Sequence, residues 1–416
     1  MSAFWHPFSD MSKAEENRVV MQRGDGCWLW DEDGTRYLDA TAALWFCNVG
    51  YGRRELAERA AAQMSQLAAY STFDVYASRP ALELAERISE IAPTEGPNGV
   101  FFTNGGSDAV DTAGKMVRRY WQLEGEPERT VIISRAGAYH GMNAYGTSLA
   151  GIPANFDGWG TLVSDVVHVG ANDLDSLRQA LEANEGRVAA FIGEPVVGAG
   201  GVRPPADGYW EGVQKLLREH GVLLVADEVV SGFGRFGTWF ASESLGIVPD
   251  LVTCAKGVTS GYLPLGAVIA GDRVRSTIWE GGAFRHGYTY SGHPAACAVA
   301  LANLEIIELE QLRRRASSLA PELRTRFSAL EDEPLIEEVR TAGLLAGVEL
   351  SSAALAEDPG LLDRTVVKAR ERGVLIRALA GTTIQISPPF VASESEFDLI
   401  VATIREAVAA AAEDSN

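Results

Sequence analysis

After about residue 98, short apolar runs alternate along the chain with longer stretches of mixed polar and apolar character. The runs are almost continuously apolar, as is usual for strands that are buried on both faces of a sheet. We predict strands at 100–103, 130–134, 188–193, 222–227, 250–255 and 266–271. Strands that alternate with helices predict an α/β fold, in which a mostly parallel sheet is covered by helices.

Two of the intervening stretches have helical character. In 107–121, the apolar residues are spaced by 3, 4 and 3 positions, which places them on one face of a helix. These residues are Val110, Ala113, Val117 and Tyr120. The stretch 209–221 is also predicted to be a helix, and it ends in a glycine, which is common just beyond helix ends.

The two ends of the chain differ from this central part. The first 48 residues contain a predicted strand pair, GCWLWDEDGTRYLD, with a turn at DEDG. After about residue 306, a charged helical stretch precedes short strand-like pieces (IEEVR, AGVEL, VLIR and TIQIS) and a final helix. We predict a large domain at 49–306, a smaller α+β domain at 307–416, and a segment at 1–48 that packs with the small domain.

The composition is that of an ordinary globular protein, with 46% hydrophobic and 22% charged residues in a chain of 416. A formal net charge of −20 argues against binding to nucleic acid or to anionic membranes. The N-terminal residues have no long apolar run, and no run in the chain reaches the roughly 18 residues that span a bilayer. Four widely spaced cysteines fit a reducing compartment, so we expect a cytoplasmic protein.

In open parallel sheets, ligands bind beyond the carboxyl ends of the strands, so the residues after each predicted strand are candidates for chemistry. The strand at 100–103 is followed by NGGS and then by a predicted helix. Gly105, Gly106 and Ser107 can let the backbone approach a ligand, and the free N–H groups of the helix favour an anion. A plain strand-to-helix turn that is capped by Ser107 explains the same residues equally well.

Reactive side chains follow four of the other predicted strands. They are Tyr139 with His140 in a glycine loop, Glu194, Asp227 and Lys256. A carboxylate at the end of an apolar strand is costly to bury unless a cation pairs with it. Each residue alone has an ordinary explanation, such as a structural histidine or a lysine whose amine reaches the surface. Together they place aromatic, acidic and basic groups at one edge of the sheet.

Pyridoxal 5′-phosphate (PLP) requires this combination of groups. Its aldehyde reacts with a neutral amine, and burial lowers the pKa of a lysine toward that condition. Its pyridine nitrogen stays protonated beside a carboxylate, its phosphate favours a helix N-terminus, and its ring packs against a flat face. The residue types and their positions therefore favour a PLP site.

Two further sequence patterns bear on other kinds of site. The segment GFGRFG at 232–237 matches the glycine pattern of dinucleotide-binding proteins, which would indicate an NAD-dependent dehydrogenase. That pattern should lie directly between a strand and a helix, whereas EVVS intervenes here and TWFASES follows. The six histidines show neither HxxxH nor HExxH spacing, so no metal site is predicted.

The chain resembles the class III PLP-dependent aminotransferases of fold type I. The resemblance is carried, in order, by FFTNGGSDAVDTAGKMVRRYW, AYHG, GEPVVGAGG, DEVVSGFGRFG, PDLVTCAKGVTSGYLPLGAV and HGYTYSGHPAACAVALANL. It extends from HPFSD near the N-terminus to TIQISPPF near the C-terminus. Within the family, TYSGHP, ALWFCNVGYGR and a DEVV that lacks the glutamine of DEVQ are similar to the ω-amino acid or amine:pyruvate branch.

The resemblance implies a role for each candidate residue. Lys256 would form the internal aldimine with PLP and then act as acid and base, and Asp227 would pair with the pyridinium nitrogen. The other coenzyme-binding residues would be Gly106 and Ser107 at the phosphate, Tyr139 and Val229 on the ring faces, His140, and Glu194, which would orient the Asp227 region. Thr289 would reach the phosphate of a neighbouring subunit. The resemblance thus implies a homodimer, or a tetramer built from such dimers.

The same resemblance implies that Trp45, Tyr139, Ala199 and Arg377 contact the substrate, with Arg377 as a mobile group that binds a carboxylate. The expected reaction moves an amino group from an ω-amino acid or primary amine to pyruvate, giving L-alanine by a ping-pong mechanism. The alternatives are another class III enzyme, either a 2-oxoglutarate-dependent aminotransferase or an aminomutase, and the dehydrogenase discussed above. The segment Ser71–Asp74 departs from the branch, which is usually more aromatic there.

Overall fold

The structure is a computed structural model that describes residues 3–414. Its strands are β1 (Met21–Asp25), β2 (Trp28–Asp31), β3 (Arg36–Asp39), β4 (Gly99–Thr103), β5 (Val131–Arg135), β6 (Val166–Val169), β7 (Val188–Gly193), β8 (Leu223–Asp227), β9 (Leu251–Cys254), β10 (Gly266–Ala270), β11 (Ile336–Ala342), β12 (Leu345–Leu350), β13 (Val374–Leu375), β14 (Arg377–Leu379) and β15 (Thr383–Ile386).

The α-helices of the described residues fall between and after these strands. They are α1 (Met11–Glu16), α2 (Ala42–Trp45), α3 (Arg54–Gln66), α4 (Arg79–Ile91), α5 (Gly106–Leu123), α6 (Ala144–Leu149), α7 (Leu174–Ala183), α8 (Tyr209–His220), α9 (Ala241–Ser244), α10 (Asp272–Glu280), α11 (Pro294–Leu309), α12 (Leu312–Phe327), α13 (Ser352–Glu357), α14 (Leu361–Glu371) and α15 (Glu394–Glu413). Short 3₁₀ turns occupy Pro153–Asn155, Lys256–Val258 and Ser328–Leu330.

The largest sheet has seven strands in the order β4-β10-β9-β8-β7-β5-β6. The pairs β9–β8, β8–β7, β7–β5 and β5–β6 are parallel, and β10 is antiparallel to both of its neighbours. Six strands therefore share one direction, which confirms the predicted mostly parallel sheet. All six predicted strands are present. The strand β6 was not predicted, because only one of its four residues is fully buried and the exposed His168 interrupts its apolar run.

Helices pack against this sheet as the apolar pattern predicts. In α5, the predicted face of Val110, Ala113, Val117 and Tyr120 is buried, and the helix packs against β4, β9 and β10. The second predicted helix is α8, and Gly221 follows it with a left-handed φ of 65°, as expected of a glycine at a helix end. The fold is thus the fold type I arrangement that the sequence predicts.

Two four-stranded sheets lie outside the large one. The first has the order β1-β2-β3-β13, and the predicted pair at DEDG is its antiparallel β2–β3 hairpin. The second has the order β11-β12-β15-β14, and α12 packs against β11 and β12. Because β13 comes from the C-terminal part and pairs with β3, the first sheet joins the two ends of the chain. Among residues 3–414, no helix has both the length and the apolar character to cross a membrane.

Candidate active site

The carboxyl ends of the parallel strands bring the predicted coenzyme-binding residues together. One cavity is lined by Gly106 after β4, Tyr139 and His140 after β5, Glu194 after β7, Asp227 at the end of β8, Val229, and Lys256 after β9, together with Ser107, Val110, Gly141 and Val230. These strands all run in the same direction, so the positions that follow them meet at one edge of the sheet. Every predicted coenzyme-binding residue except Thr289 lines this cavity.

Lys256 leaves the sheet through an unusual backbone conformation. It follows the end of β9 and has a φ of 47°, which is rare for a residue with a side chain. Burial lowers the pKa of its amine to about 8, and the carboxylates of Asp227 and Glu194 oppose that shift. About a tenth of the amine is therefore neutral at pH 7, far more than for an exposed lysine.

Asp227 is buried and its carboxylate is hydrogen-bonded on both oxygens. Oδ2 lies 2.7 Å from Nδ1 of His140. Oδ1 accepts hydrogen bonds from the backbone N–H of Val229 and from Oγ1 of Thr253, each at 3.1 Å. The carboxylate is thus fixed in one orientation at the end of β8.

Glu194 is the second buried acid of the cavity. Burial raises the pKa of its carboxyl to about 7, and the neighbouring Asp227 adds to that shift. Its backbone carbonyl accepts a hydrogen bond from the buried guanidinium of Arg135. At neutral pH this side chain is therefore close to half protonated, in contrast to an exposed glutamate.

The residues predicted to cradle an anion lie at the start of α5, where Gly106 and Ser107 line the cavity. A Cβ added at Gly106 would lie 2.8 Å from Cγ1 of Val229, so only glycine lets the helix start approach that side chain. Ser107 does not cap its own helix, because the N-cap residue is Gly105 and Oγ of Ser107 instead accepts the N–H of Met142 at 3.1 Å. The alternative of a helix capped by Ser107 is therefore wrong, and the first N–H groups of α5 have no partners inside the helix.

The predicted substrate residues lie beside the cavity. The Trp45 ring is 5.8 Å from Nζ of Lys256 and 5.2 Å from Cζ of Arg377. Ala199 packs against the apolar cluster that contains Trp45 and Val202. Burial lowers the pKa of Arg377, and this guanidinium forms no ion pair with the acids of residues 3–414.

Two predicted positions lie away from the cavity within one chain. Thr289 is exposed and does not line it. Thr72, Phe73 and Asp74 line a separate open groove of about 820 Å³, together with Phe284 and other residues. The structure of a single chain therefore does not bring these residues to Lys256.

Thr253 is a site residue that the sequence analysis missed. It is a buried polar residue inside the otherwise apolar β9, directly opposite Asp227 in the parallel β8–β9 pair. A lone hydroxyl in an apolar strand needs a hydrogen-bond partner, which could have revealed it. Its hydroxyl donates a hydrogen bond to Oδ1 of Asp227 at 3.1 Å.

The GFGRFG segment does not form a dinucleotide site. It connects β8 to α9, a helix of only four residues, and the side chains of Phe233 and Arg235 in it are fully buried. Arg235 donates hydrogen bonds to Oδ1 of Asn48 and to the carbonyl of Pro388, both at 2.6 Å. The segment thus joins three parts of the chain, and its glycines do not cradle a helix start.

The fold is an α/β fold with a cavity at the carboxyl edge of a mostly parallel sheet, where such folds commonly bind ligands. The family model for class-III aminotransferases matches residues 11–408, nearly the whole chain. The chain therefore belongs to the class-III aminotransferases, which are PLP-dependent enzymes.

Individual relatives cover almost all of the chain. The putrescine–pyruvate aminotransferase of Pseudomonas aeruginosa is 39% identical over 426 residues, which is 96% of this chain and 92% of that protein. The diaminobutyrate–2-oxoglutarate transaminase of Halomonas elongata is 38% identical over 431 residues, at 96% and 92% coverage. The crystal structure of the omega transaminase of Pseudomonas jessenii in complex with PMP matches with a TM-score of 0.93, 34% identity, and coverage of 99% and 96%.

Proposed function

We propose that this aminotransferase moves an amino group from a primary amine or an ω-amino acid to pyruvate, which releases L-alanine, in a ping-pong cycle of two half-reactions. The observation that carries the proposal is the arrangement around Lys256. Its amine shares a cavity with Asp227 and lies 5.8 Å from the ring of Trp45, which in turn lies 5.2 Å from the guanidinium of Arg377. The amine and a guanidinium that has no ion pair among the described residues thus both lie within 6 Å of one indole ring.

The residues of the cavity fit PLP. When bound, the coenzyme withdraws electrons from the substrate carbon that loses its proton. The cavity offers an amine, a carboxylate and a helix N-terminus. It also contains two buried polar atoms, Nε2 of His140 and Oε2 of Glu194, that have no hydrogen-bond partner within the described part of the chain. Buried polar atoms rarely stay unpaired, so their presence supports a site that a polar ligand completes.

We propose that Lys256 binds the coenzyme covalently through its amine and that Asp227 holds the pyridine nitrogen. A carboxylate fixed by donors on both oxygens is well suited to orient a third, charge-assisted hydrogen bond. The remaining contacts would come from Gly106 and Ser107 at the phosphate and from Tyr139 and Val229 at the two ring faces.

Nζ of Lys256 would also move the substrate proton. It would take the proton from the substrate carbon that bears the amino group and, within the same half-reaction, deliver it to the carbon that was the aldehyde of the coenzyme. A pKa of about 8 suits both steps, because the amine is neither permanently charged nor too weak as a base.

Arg377 would bind the carboxylate of pyruvate. Its planar guanidinium can donate two parallel hydrogen bonds to a carboxylate. It begins β14, and the turn after that strand contains Ala380 and Gly381 with left-handed φ angles of 48° and 74°. When a donor without a carboxylate binds, the side chain would have to leave the pocket, since an unpaired buried charge is costly.

A panel of amines tests the proposal, with pyruvate and 2-oxoglutarate as separate acceptors. We expect L-alanine from pyruvate with putrescine, β-alanine or 1-phenylethylamine as donors. If the enzyme forms L-glutamate from 2-oxoglutarate but no L-alanine from pyruvate, the result would support the second candidate function, a 2-oxoglutarate-dependent aminotransferase. The diaminobutyrate–2-oxoglutarate transaminase among the relatives favours that candidate. Conversion of a donor without any new amino acid would indicate an aminomutase and would overturn both.

We also propose that the active unit is a homodimer, in which Thr289 reaches the coenzyme phosphate of the other subunit. Thr289 is exposed, as a residue that serves another chain would be. A nearby apolar surface supports the dimer: Tyr70, Val75 and Tyr76 are 58%, 89% and 53% exposed. Large exposed apolar patches commonly mark protein interfaces.

A further inference from the structure

Residues 41–45, which include α2 and carry Trp45, form a loop whose backbone is strained and departs from regular helix. Ala42, Ala43 and Trp45 have φ angles of 46°, 55° and 62°, although none of them is glycine. Residues with side chains rarely adopt positive φ, and they do so where the surroundings hold them in place. Three such residues in four positions therefore need a group that holds the loop.

Asp39 is that group. Its Oδ1 accepts the backbone N–H and the hydroxyl of Thr41, each at 2.8 Å. Its Oδ2 accepts the N–H of Ala43 and the hydroxyl of Tyr51, each at 2.6 Å. Asp39 is 1% exposed and forms no ion pair within residues 3–414. Three of these four donors belong to the strained loop.

The same residue connects the two substrate-side groups. Asp39 ends β3, where it pairs in parallel register with Leu375 of β13. The next residue, Ala40, donates its N–H to the carbonyl of Leu375 at 3.1 Å, two positions before Arg377. The pairing of β3 with β13 therefore brings the Trp45 loop close to Arg377. The carboxylate of Asp39 then holds the loop in this position through its hydrogen bonds.

We propose that Asp39 is a positioning residue for the substrate pocket, which holds Trp45 beside Lys256 and Arg377 and thereby sets which amines are accepted. This inference rests on the proposed transaminase function. A carboxylate can accept all four hydrogen bonds, whereas the NH₂ group of an asparagine would replace one oxygen and face the two donors that this oxygen accepts. The loop would then lose a contact that keeps the indole in place.

Asp31 provides a matched control. It is also buried, it also ends a strand of the same sheet, and its Oδ1 accepts the N–H groups of Asp33 and Thr35 at 3.1 and 2.8 Å. Its Oδ2 accepts the hydroxyl of Tyr37 at 2.8 Å. Both aspartates thus accept hydrogen bonds from the backbone and from a hydroxyl just after a strand. The turn at Asp31, however, carries no residue near the cavity.

The test is a double-mutant cycle on substrate selectivity. The ratio of kcat/KM for (S)-1-phenylethylamine to that for isopropylamine, with pyruvate as acceptor, is measured in wild type, Asp39→Asn, Trp45→Ala and the double variant. We expect Asp39→Asn to change the ratio by about 10-fold, because small displacements of a positioning group have effects of that size. In the Trp45→Ala background the same substitution should change the ratio by less than about twofold, since coupled residues are not additive.

An equal change of the ratio in both backgrounds, or the same change in Asp31→Asn, would overturn the inference. If Asp39→Asn does not fold, Tyr51→Phe replaces it in the cycle, because it removes only the hydroxyl that donates to Oδ2. No change of the ratio in that variant would also count against the inference. The wild-type enzyme tests the underlying function separately: without L-alanine formation the transaminase proposal fails, and with it the cycle addresses Asp39 alone.

Discussion

The imidazole of His140 and the carboxylate of Asp227 are joined by a buried hydrogen bond, with Nδ1 2.7 Å from Oδ2. His140 comes from the loop after β5 and Asp227 from the end of β8, so the bond links two parts of the sheet edge. Thr253 binds the other oxygen from β9. Since each contact comes from a different element, the carboxylate cannot turn without breaking one of them.

The charge of Asp227 should matter more than its shape. Asp227→Asn keeps the size of the side chain but removes the charge that would hold a protonated pyridine nitrogen. A hydrogen bond to a charged group contributes about 1.5–3 kcal/mol, so we expect a rate loss of at least about 10–150-fold in single-turnover measurements of the amine half-reaction. Circular dichroism checks that the fold is retained. A variant within about threefold of wild type would show that another group holds the nitrogen.

Lys256→Ala should abolish both the yellow colour of the PLP enzyme and its turnover. Among residues 3–414, Lys256 is the one lysine that lines the cavity, so the substitution removes the amine that would bind the coenzyme covalently. Visible absorbance spectra after dialysis, together with L-alanine release, test this expectation. Lys215→Ala, on the exposed side of α8, is the control and should keep both signals. A persistent yellow, active Lys256→Ala enzyme would refute the assignment.

Much of the site could be predicted because strand direction determines where chain segments meet. Once the apolar runs are identified as parallel strands, the residues after them must lie at one edge, and Tyr139, His140, Glu194, Asp227 and Lys256 do. The reversed direction of β10 was not predictable in this way. The apolar pattern shows that a strand is buried but does not show which way it runs.

The supporting contacts were less accessible to sequence analysis. The bonds from Asp39 to Thr41 and Ala43 depend on a backbone with positive φ at residues that are not glycine, and residue types give no sign of such strain. The contact between Trp45 and Lys256 joins residues that are far apart in the chain. Both features depend on how the complete fold packs. The family resemblance therefore predicted which residues form the site, but it did not predict the hydrogen bonds that hold them in position.

The lowered pKa of Lys256 predicts a pH dependence of stability in the coenzyme-free enzyme. Burial lowers this pKa from 10.5 to about 8 in the folded protein, so between these values the unfolded chain binds the additional proton. Stability rises with pH wherever the unfolded state binds more protons. From pH 8 to about 10.5, wild type should therefore gain up to about 3 kcal/mol relative to Lys256→Met, at about 1.36 kcal/mol for each pKa unit.

Urea unfolding at constant protein concentration measures this difference. Lys215→Met, at an exposed position, is the matched control and should follow the wild-type curve. Parallel curves for wild type and Lys256→Met across this pH range would mean that the buried amine does not titrate as the structure indicates. The carboxyl of Glu194 changes the stability in the opposite direction. Its pKa is raised from 4.5 to about 7, so between these values the folded protein binds more protons and its stability falls as the pH rises.

Mixed dimers test whether Thr289 serves the other subunit. Thr289→Ala should weaken coenzyme binding by about 10-fold or more, through the loss of a hydrogen bond to a charged phosphate. When this variant is mixed with Lys256→Ala, each hybrid dimer would contain one site with the native lysine and the native threonine. We therefore expect the mixture to regain activity at coenzyme concentrations where neither variant is active alone. Mass spectrometry verifies that the two variants exchange subunits. If the mixture then regains no activity, Thr289 serves the site of its own subunit or no site at all.

Arg377 should control only those substrates that have a carboxylate. A transaminase must accept two different molecules in turn, and an amine such as 1-phenylethylamine leaves the guanidinium without a partner. The structure places this group 5.2 Å from the Trp45 ring, beside the reactive amine, with no ion pair among the described acids. Binding of pyruvate would satisfy it with two parallel hydrogen bonds.

We expect Arg377→Ala to slow the pyruvate half-reaction by about 10–150-fold, which corresponds to about 1.5–3 kcal/mol for a charged hydrogen-bonded pair. The half-reaction with 1-phenylethylamine should change little, because no carboxylate is present to be bound. Arg377→Lys is the informative companion, since lysine keeps the charge but cannot form the bidentate contact, and it should recover only part of the loss. Rapid-scanning spectroscopy measures the rate of the pyruvate half-reaction and the rate of the amine half-reaction separately. Equal losses with both substrates would mean that Arg377 supports the wall of the pocket and does not recognise the carboxylate.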